Sequence, residues 1–421
     1  MDILCKNPDT DFGLYFKPLK NGHIAGNALD KHSYEIVFQD EKDSFQPEGD
    51  YQIDFQSYCA PLAALHICNE LFAHILKLRE EFAKKEIAEL RCTQGEVDTK
   101  PCSIEITSLY IDSKWFRDGK FLLAKYFDGI QVEQQTSRVF KLTVSAPSIF
   151  DAVNLLSLVS LFTHITNEHG VSSELDENLA QKYGIVLSNI KNVPYFVFYL
   201  FVQRGMKCEK QFYDLKPVFE NYLAGAGLQV DLQWQGTKQQ RIQYISERLE
   251  LDVPILDIGC GDFDFFKNMI KLDFKETYYA VDNDERVETL CRSVAKRHKE
   301  NKLSFFKSLD GFKSQEKLNV LLVEVIEHNS IEDAKKLIRQ ALEYNFNKLF
   351  ISSPNIEFNQ FYHNTENPFR HDDHVFEPDT AEFRAIIEEC TAEKACRVEY
   401  FYLGDCINGI QPTQGCIIYP D

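Results

Sequence analysis

Two carboxylates and an imidazole fall within five residues at Glu324, Glu327 and His328, and a second imidazole-rich stretch, Arg370-His371-Asp372-Asp373-His374, answers them downstream. Glu324, Glu327, His328 and a returning His374 make a mixed oxygen and nitrogen donor set for a divalent cation, with room left for substrate oxygens. Carboxylates suit Mg²⁺ or Mn²⁺, and paired imidazoles tilt the choice toward the transition metal. Taken alone, the same acids also fit a solvated helix start, because carboxylates favour a first turn.

The elements around these residues decide where such a set would stand. Leu318–Val323 is a short apolar run that reads as a buried strand, and helical periodicity resumes at Ile331. Around it the second half alternates: strands at Ile255–Ile258, Thr277–Val281, Leu303–Phe306, Leu318–Val323 and Lys348–Ser352, and helices at Phe263–Lys271, Arg286–Lys299 and Ile331–Tyr344. Phe383–Cys390 reads as helix and Arg397–Leu403 as extended. Alternation at this spacing predicts a doubly wound, mostly parallel sheet, with ligands at the carboxyl ends of its strands.

A second signal follows the first of those strands. Asp257-Ile258-Gly259-Cys260-Gly261-Asp262 places two glycines where backbone must turn sharply and approach a ligand closely. Asp282 then closes the second strand with a carboxylate suited to ribose hydroxyls. A dinucleotide fingerprint requires a third glycine at the helix start, whereas Phe263-Asp264 is bulky and acidic, a poor phosphate cradle. The loop is similar to the S-adenosylmethionine form. Asp257 and the backbone of Gly259 and Gly261 are then expected at the methionine portion, Asp282 at the ribose, and Ser308 beside the adenine.

A chain of 421 residues with 44% apolar residues predicts two globular domains, here 1–235 and 236–421. The first half reads as a separate mixed α/β domain. Cys59–Leu90 keeps helical spacing, Ser103–Ile111 and Arg138–Val144 alternate like strands, and a strongly apolar helix runs from Ser148 to Phe162. The β-branched and aromatic run Val193–Val202 reads as a central strand, and Gln211–Leu223 as helix. Residues 1 to 50 show few periodic segments. Gly236–Glu250 is the junction and lead-in helix.

Net charge is −19, which disfavours non-specific duplex binding, since phosphate neutralisation needs Lys and Arg. The stretch 286–317 nevertheless holds nine Lys or Arg against four acids, a strip able to hold a short single strand or, equally, a solvated helix face. The twelve cysteines include no CxxC pair, so buried reduced thiols in a cytoplasmic protein are expected. Neither a signal peptide nor a membrane span is read at this stage.

Glu-Val-Ile-Glu-His (324–328), Ser-Pro-Asn-Ile-Glu-Phe-Asn (353–359) and Arg-His-Asp-Asp-His-Val-Phe-Glu (370–377), in this order and after Asp-Ile-Gly-Cys-Gly (257–261), resemble the small-RNA 2′-O-methyltransferases of the HUA ENHANCER type. The resemblance covers roughly 237–421. It implies a Rossmann-like class I methyltransferase domain whose Glu324, Glu327, His328 and His374 bind the cation and act in catalysis. The cation would take the 2′ and 3′ hydroxyls of a single-stranded RNA's terminal ribose, and either His328 or His371 would receive the released proton. Asn355, Arg370 and His371 are expected near substrate. Two positions depart from the family pattern: Phe263 replaces a small residue, and Pro378 replaces a Trp. Bacterial members carry an additional N-terminal domain and work beside an RNA end-healing and ligating enzyme, so a polynucleotide kinase-phosphatase-ligase is the partner implied. Two other readings stand beside this one: a metal-dependent O-methyltransferase of small diols, and a first half that activates a partner while methylation is secondary.

Overall fold

The computed structural model describes residues 1–6, 14–19, 22–40, 59–72, 101–112, 115–117, 119–166, 177–206, 208–298, 302–362 and 368–421. It divides into two compact units, Met1–Gly227 and Leu228–Asp421.

In the first unit, a seven-stranded antiparallel sheet is built from Asp2–Lys6, Tyr15–Leu19, Gly22–Asp30, Ser33–Asp40, Cys102–Tyr110, Ile130–Gln134 and Val139–Ala146. Four of those strands lie in the first fifty residues, where few elements were expected. The signal there is a short alternation, with Ile3 and Cys5, then Tyr34, Ile36 and Phe38, buried on one face. The helix Ile149–Thr166 is long and apolar enough to cross a membrane, yet 94% of it is buried inside the unit, and it is the core helix there.

Val193–Val202 is not a strand. Tyr195–Gly205 is a helix that begins after Pro194, whose backbone is extended at φ −64° and ψ 147°. Phe196, Phe198 and Phe201 are almost wholly buried, and Phe198 and Phe201 both meet Phe219 edge-on. A helix apolar on all sides shows no 3.6-residue period, so tertiary burial overrode β-propensity. The helix begun at Cys59 appears as Pro61–Leu71, and its expected continuation from 73 to 90 lies outside the described residues.

The second unit follows the expected alternation. Its sheet strands are β1 (Ile255–Ile258), β2 (Tyr278–Val281), β3 (Leu303–Phe306), β4 (Leu318–Val323), β5 (Phe346–Pro354), β6 (Cys396–Leu403) and β7 (Thr413–Pro420). They are ordered 3-2-1-4-5-7-6, with the first five parallel and β7 antiparallel to both neighbours. The helices are α1 (Thr237–Ser246), α2 (Asp264–Lys271), α3 (Glu285–Arg297), α4 (Ile331–Leu342) and α5 (Thr380–Thr391). This is a Rossmann-like α/β sheet with cores on both faces. The order in which successive strands are added reverses between the parallel β1 and β4, so the crevice for a ligand opens beyond their carboxyl ends, at Ile258 and Val323.

Candidate active site

Glu324 leaves β4 with φ at +55°, a left-handed conformation that a side chain rarely adopts and that functional turns often hold. Its Oε1 accepts from Ser352 Oγ at 2.9 Å, and its Oε2 lies 3.1 Å from Arg241 Nη1. A 3₁₀ turn, Ile326–His328, then presents Glu327 inward and His328 outward. Ser330 ends the turn and caps α4 by accepting from Asp333 N–H at 3.2 Å.

The distant His374 is tied to this turn by backbone. The carbonyl of Glu327 accepts from Val375 N–H at 2.8 Å and from Phe376 N–H at 3.3 Å. One donor atom each from Glu327, His328 and His374 lies within 4.8 Å of the others. Glu324, held by Ser352 and Arg241, stands outside this trio.

The trio's chemistry fits a cation. Glu327 is 1% exposed, and its Oε2 has no hydrogen-bond partner among the described residues. Burial, together with the charge of Glu324, pushes its carboxyl well above the ordinary carboxylate value. An unpaired buried carboxylate is costly unless a proton or a cation compensates it. His374 Nδ1 lies 2.5 Å from Glu377 Oε1, which fixes the tautomer with Nδ1–H donating and Nε2 free as a ligand. Burial alone would raise the Glu377 carboxyl, but hydrogen bonds from His374, the Arg370 backbone N–H and Asn359 outweigh it and lower it. His328 Nδ1 is 3.3 Å from the Asp373 carbonyl, and its ring stands perpendicular to that of His374 at 4.8 Å. His371 is 5.1 Å from His374, centroid to centroid, and burial lowers its pKa, with the His374 and Arg370 charges acting in the same direction.

Beside the trio lies a cavity of about 1110 Å³, lined by Gly259, Gly261, Asp282, Ser308, Glu324 and His328 among others. Gly259 has φ +77°, and a Cβ there would stand 2.4 Å from Val325 Cγ2, so the ends of β1 and β4 approach as closely as they do only because it is glycine. Gly261 N–H donates to Asp282 Oδ2 at 3.0 Å, and Asp284 N–H to Oδ1 at 2.9 Å, which fixes the carboxylate at the end of β2. Asp257 is buried and accepts from the Tyr278 hydroxyl. Burial raises its pKa to about 7, against the opposing Tyr278 hydrogen bond and with the Asp282 charge adding to the rise. Phe263 fits by turning left-handed at φ +60° and burying its ring in the core below α2.

Two residues expected near substrate also make contacts within the fold. Asn355 is buried and caps the 3₁₀ segment Ile356–Phe361, accepting from Glu357 N–H at 3.1 Å and donating to Thr380 Oγ1 at 3.4 Å. Arg370 donates to the Pro412 carbonyl at 2.6 Å and lies over the Tyr362 ring. In the basic strip, Arg286 pairs with Asp284, and both Arg292 and Lys307 with Glu288, so much of its charge is balanced locally. Sequence reasoning missed Glu377 and Arg241 as site residues. Glu377 was legible as an acid three positions after His374 within one motif, whereas Arg241 on α1 carried no signal.

The family described as Hen1 N-terminal domain matches residues 1–224. Across its whole length the chain is similar to a chain of the Pnkp1/Rnl/Hen1 RNA repair complex, with 38% identity, 100% of each chain covered and a TM-score of 0.86. A second structure of the Pnkp1/Rnl/Hen1 complex matches at 38% identity, full coverage and a TM-score of 0.83. A small RNA 2′-O-methyltransferase of Caenorhabditis elegans is 37% identical over 71 residues, a match that spans 17% of this chain and 16% of that relative's length.

Proposed function

The chain belongs to the Hen1 family, and from that premise we propose that it transfers the methyl group of S-adenosylmethionine to the 2′-hydroxyl of the 3′-terminal ribose of RNA, with Mg²⁺ or Mn²⁺ required. The observation that carries this reading is the convergence of Glu327, His328 and His374, with His328 lining a cavity that the glycine loop and Asp282 also line.

Asp282 receives the cofactor's ribose, Ser308 lies beside its adenine, and Asp257 with the Gly259 to Gly261 backbone holds the methionine portion. S-adenosylmethionine supplies an electrophilic methyl on sulfur. Glu327, His328 and His374, with Glu324 beside them, would hold a divalent cation, which when bound would lower the pKa of a ribose hydroxyl, as it does that of water. Glu377 keeps His374 in the ligating tautomer, and the backbone clamp on the Glu327 carbonyl holds the turn against its partner loop. His371, beside His374 and with its pKa lowered below the ordinary imidazole value, would take the released proton. Only a 3′ end offers two adjacent hydroxyls, so the site reads a terminus.

The first unit serves as a partner-binding module, a role supported by the full-length likeness to a chain of an RNA repair complex. A kinase-phosphatase-ligase is the partner expected, and methylation would then mark a repaired end. A small diol as substrate would leave much of a cavity of about 1110 Å³ unfilled. The deciding assay offers one RNA oligomer with 3′-hydroxyl, 3′-phosphate or 2′-deoxy ends, and a catechol, with and without Mn²⁺. Methylation of the 3′-hydroxyl RNA alone is expected, and equal transfer to the 2′-deoxy end would refute the assignment.

A further inference from the structure

Arg241 stands between the cofactor loop and the cation trio. It lies on α1 with 12% of its side chain exposed, its Nη1 3.1 Å from Glu324 Oε2 and 3.4 Å from Thr413 Oγ1. Since Ser352 holds the other oxygen of Glu324, that carboxylate is fixed at both ends, away from Glu327, His328 and His374.

Arg241 and Glu324 also line a second cavity of about 130 Å³, together with Lys238, Asp257 and Cys260. Gly259, Asp262 and Glu324 belong to both cavities, so the small one adjoins the large one. It is too small for a nucleoside, and its walls carry both signs of charge, which suits the zwitterionic end of an α-amino acid. Lys238 already faces Asp264 at 2.5 Å and Asp262 at 3.9 Å. Arg241 faces Glu324 as its ion-pair partner, and a guanidinium has five N–H donors with which to take a second carboxylate.

We infer that Arg241 couples cofactor binding to cation binding: the carboxylate of the cofactor's amino-acid end competes with Glu324 for the guanidinium, and Glu324 is thereby released toward the cation site. This rests on the proposed function. Without cofactor, one positive charge balances Glu324. With a second carboxylate present, the same guanidinium serves two anions, and Glu324 is less fully neutralised beside buried Glu327. A divalent cation relieves that repulsion, so each ligand tightens the other by the same factor.

The test is a Mn²⁺ titration of the full chain, read by the electron paramagnetic resonance of free Mn²⁺. It is run alone, with saturating S-adenosylhomocysteine, and with 5′-methylthioadenosine, which keeps the nucleoside and thioether but lacks the amino-acid end. S-adenosylhomocysteine is expected to tighten Mn²⁺ binding about tenfold, within the usual range for such coupling. 5′-Methylthioadenosine is expected to leave it unchanged. Arg241→Met is expected to bind Mn²⁺ more tightly than the native chain without cofactor and to gain nothing from S-adenosylhomocysteine. Independent binding of S-adenosylhomocysteine and Mn²⁺ overturns the coupling and leaves the methyltransferase reading standing. Equal tightening by both nucleosides, or tightening retained in Arg241→Met, also overturns the coupling. Failure of the native chain to bind either ligand overturns both. If Arg241→Met does not fold, the native chain's two nucleoside arms still decide.

Discussion

In the helix Ile149–Thr166, the buried Asn154 amide and Thr163 hydroxyl donate to carbonyls one turn back in their own helix, to Phe150 and Val159. In the second unit, buried Glu327, His374 and Glu377 come from a turn and a loop far apart in sequence and meet at the carboxyl ends of parallel strands. Among the described residues, both regions leave a buried polar atom without a hydrogen-bond partner, His164 Nε2 in one and Glu327 Oε2 in the other. The difference is charge. A neutral imidazole in a core costs a hydrogen bond, whereas a carboxylate there demands a proton or a cation. The first arrangement stabilises a scaffold, and the second does so poorly but suits a ligand.

The largest effect that would break this contrast is on activity. Glu327→Gln should reduce methyl transfer at least a thousandfold, about 4 kcal/mol of barrier, while the cation-free protein melts no lower than the native one. Retained activity in that variant would show that the buried carboxylate is structural after all. The converse change lies in the first unit. Leu158, fully buried in the core helix, should cost about 2–5 kcal/mol of stability when cut to Ala, with kcat unchanged at temperatures where the chain is folded. A loss of kcat in folded protein would mean that the scaffold reaches the chemistry.

Glu377→Ala sharpens the comparison at smaller scale. Removing the partner of His374 Nδ1 frees the ring to choose its tautomer, so Mn²⁺ affinity should fall about 10- to 100-fold. Glu377→Gln, which can still accept from Nδ1–H, should recover part of that loss. Equal affinities for all three proteins would remove Glu377 from the site.

The contrast also explains what was legible in the sequence. In the second unit each strand is short and apolar, each helix is amphipathic, and the glycine loop and the acidic turn sit directly at strand ends. Local pattern and global topology therefore agreed from Ile255 to Ser352. The antiparallel β6–β7 closure was only half read: Arg397–Leu403 alternates, but Thr413–Pro420 is buried along almost its whole length and shows no period. In the first unit the same blindness was greater, because Tyr195–Gly205 and Ile149–Thr166 are apolar on every side. Within the site, residue type identified Glu327, His328 and His374, but only geometry could show that Glu324 is held by Arg241 and that Asn355 and Arg370 brace the fold.

The two regions should also respond to pH with opposite sign. Asp257 in the second unit is raised by burial to about 7. From the unfolded value near 4 up to about 7, only the folded state holds that proton, so stability falls as pH rises through this window. His164 in the first unit is lowered by burial, with a smaller contribution from His66, to about 4. Between about 4 and the unfolded value near 6.5, only the unfolded state holds that proton, so stability rises with pH there. From pH 6 to 7.5 the Asp257 effect is worth about 1 kcal/mol and the His164 effect somewhat less, so the two partly cancel in the whole chain. Asp257→Asn should therefore unmask a melting temperature that climbs with pH, and His164→Gln one that falls. Amide exchange followed separately in Ile149–Thr166 and in β1 should show the same opposition within the native protein. Parallel pH profiles in the two segments would mean that neither buried group titrates as its surroundings require, and the difference between a scaffold that buries neutral groups and a site that buries charged ones would lose its electrostatic basis.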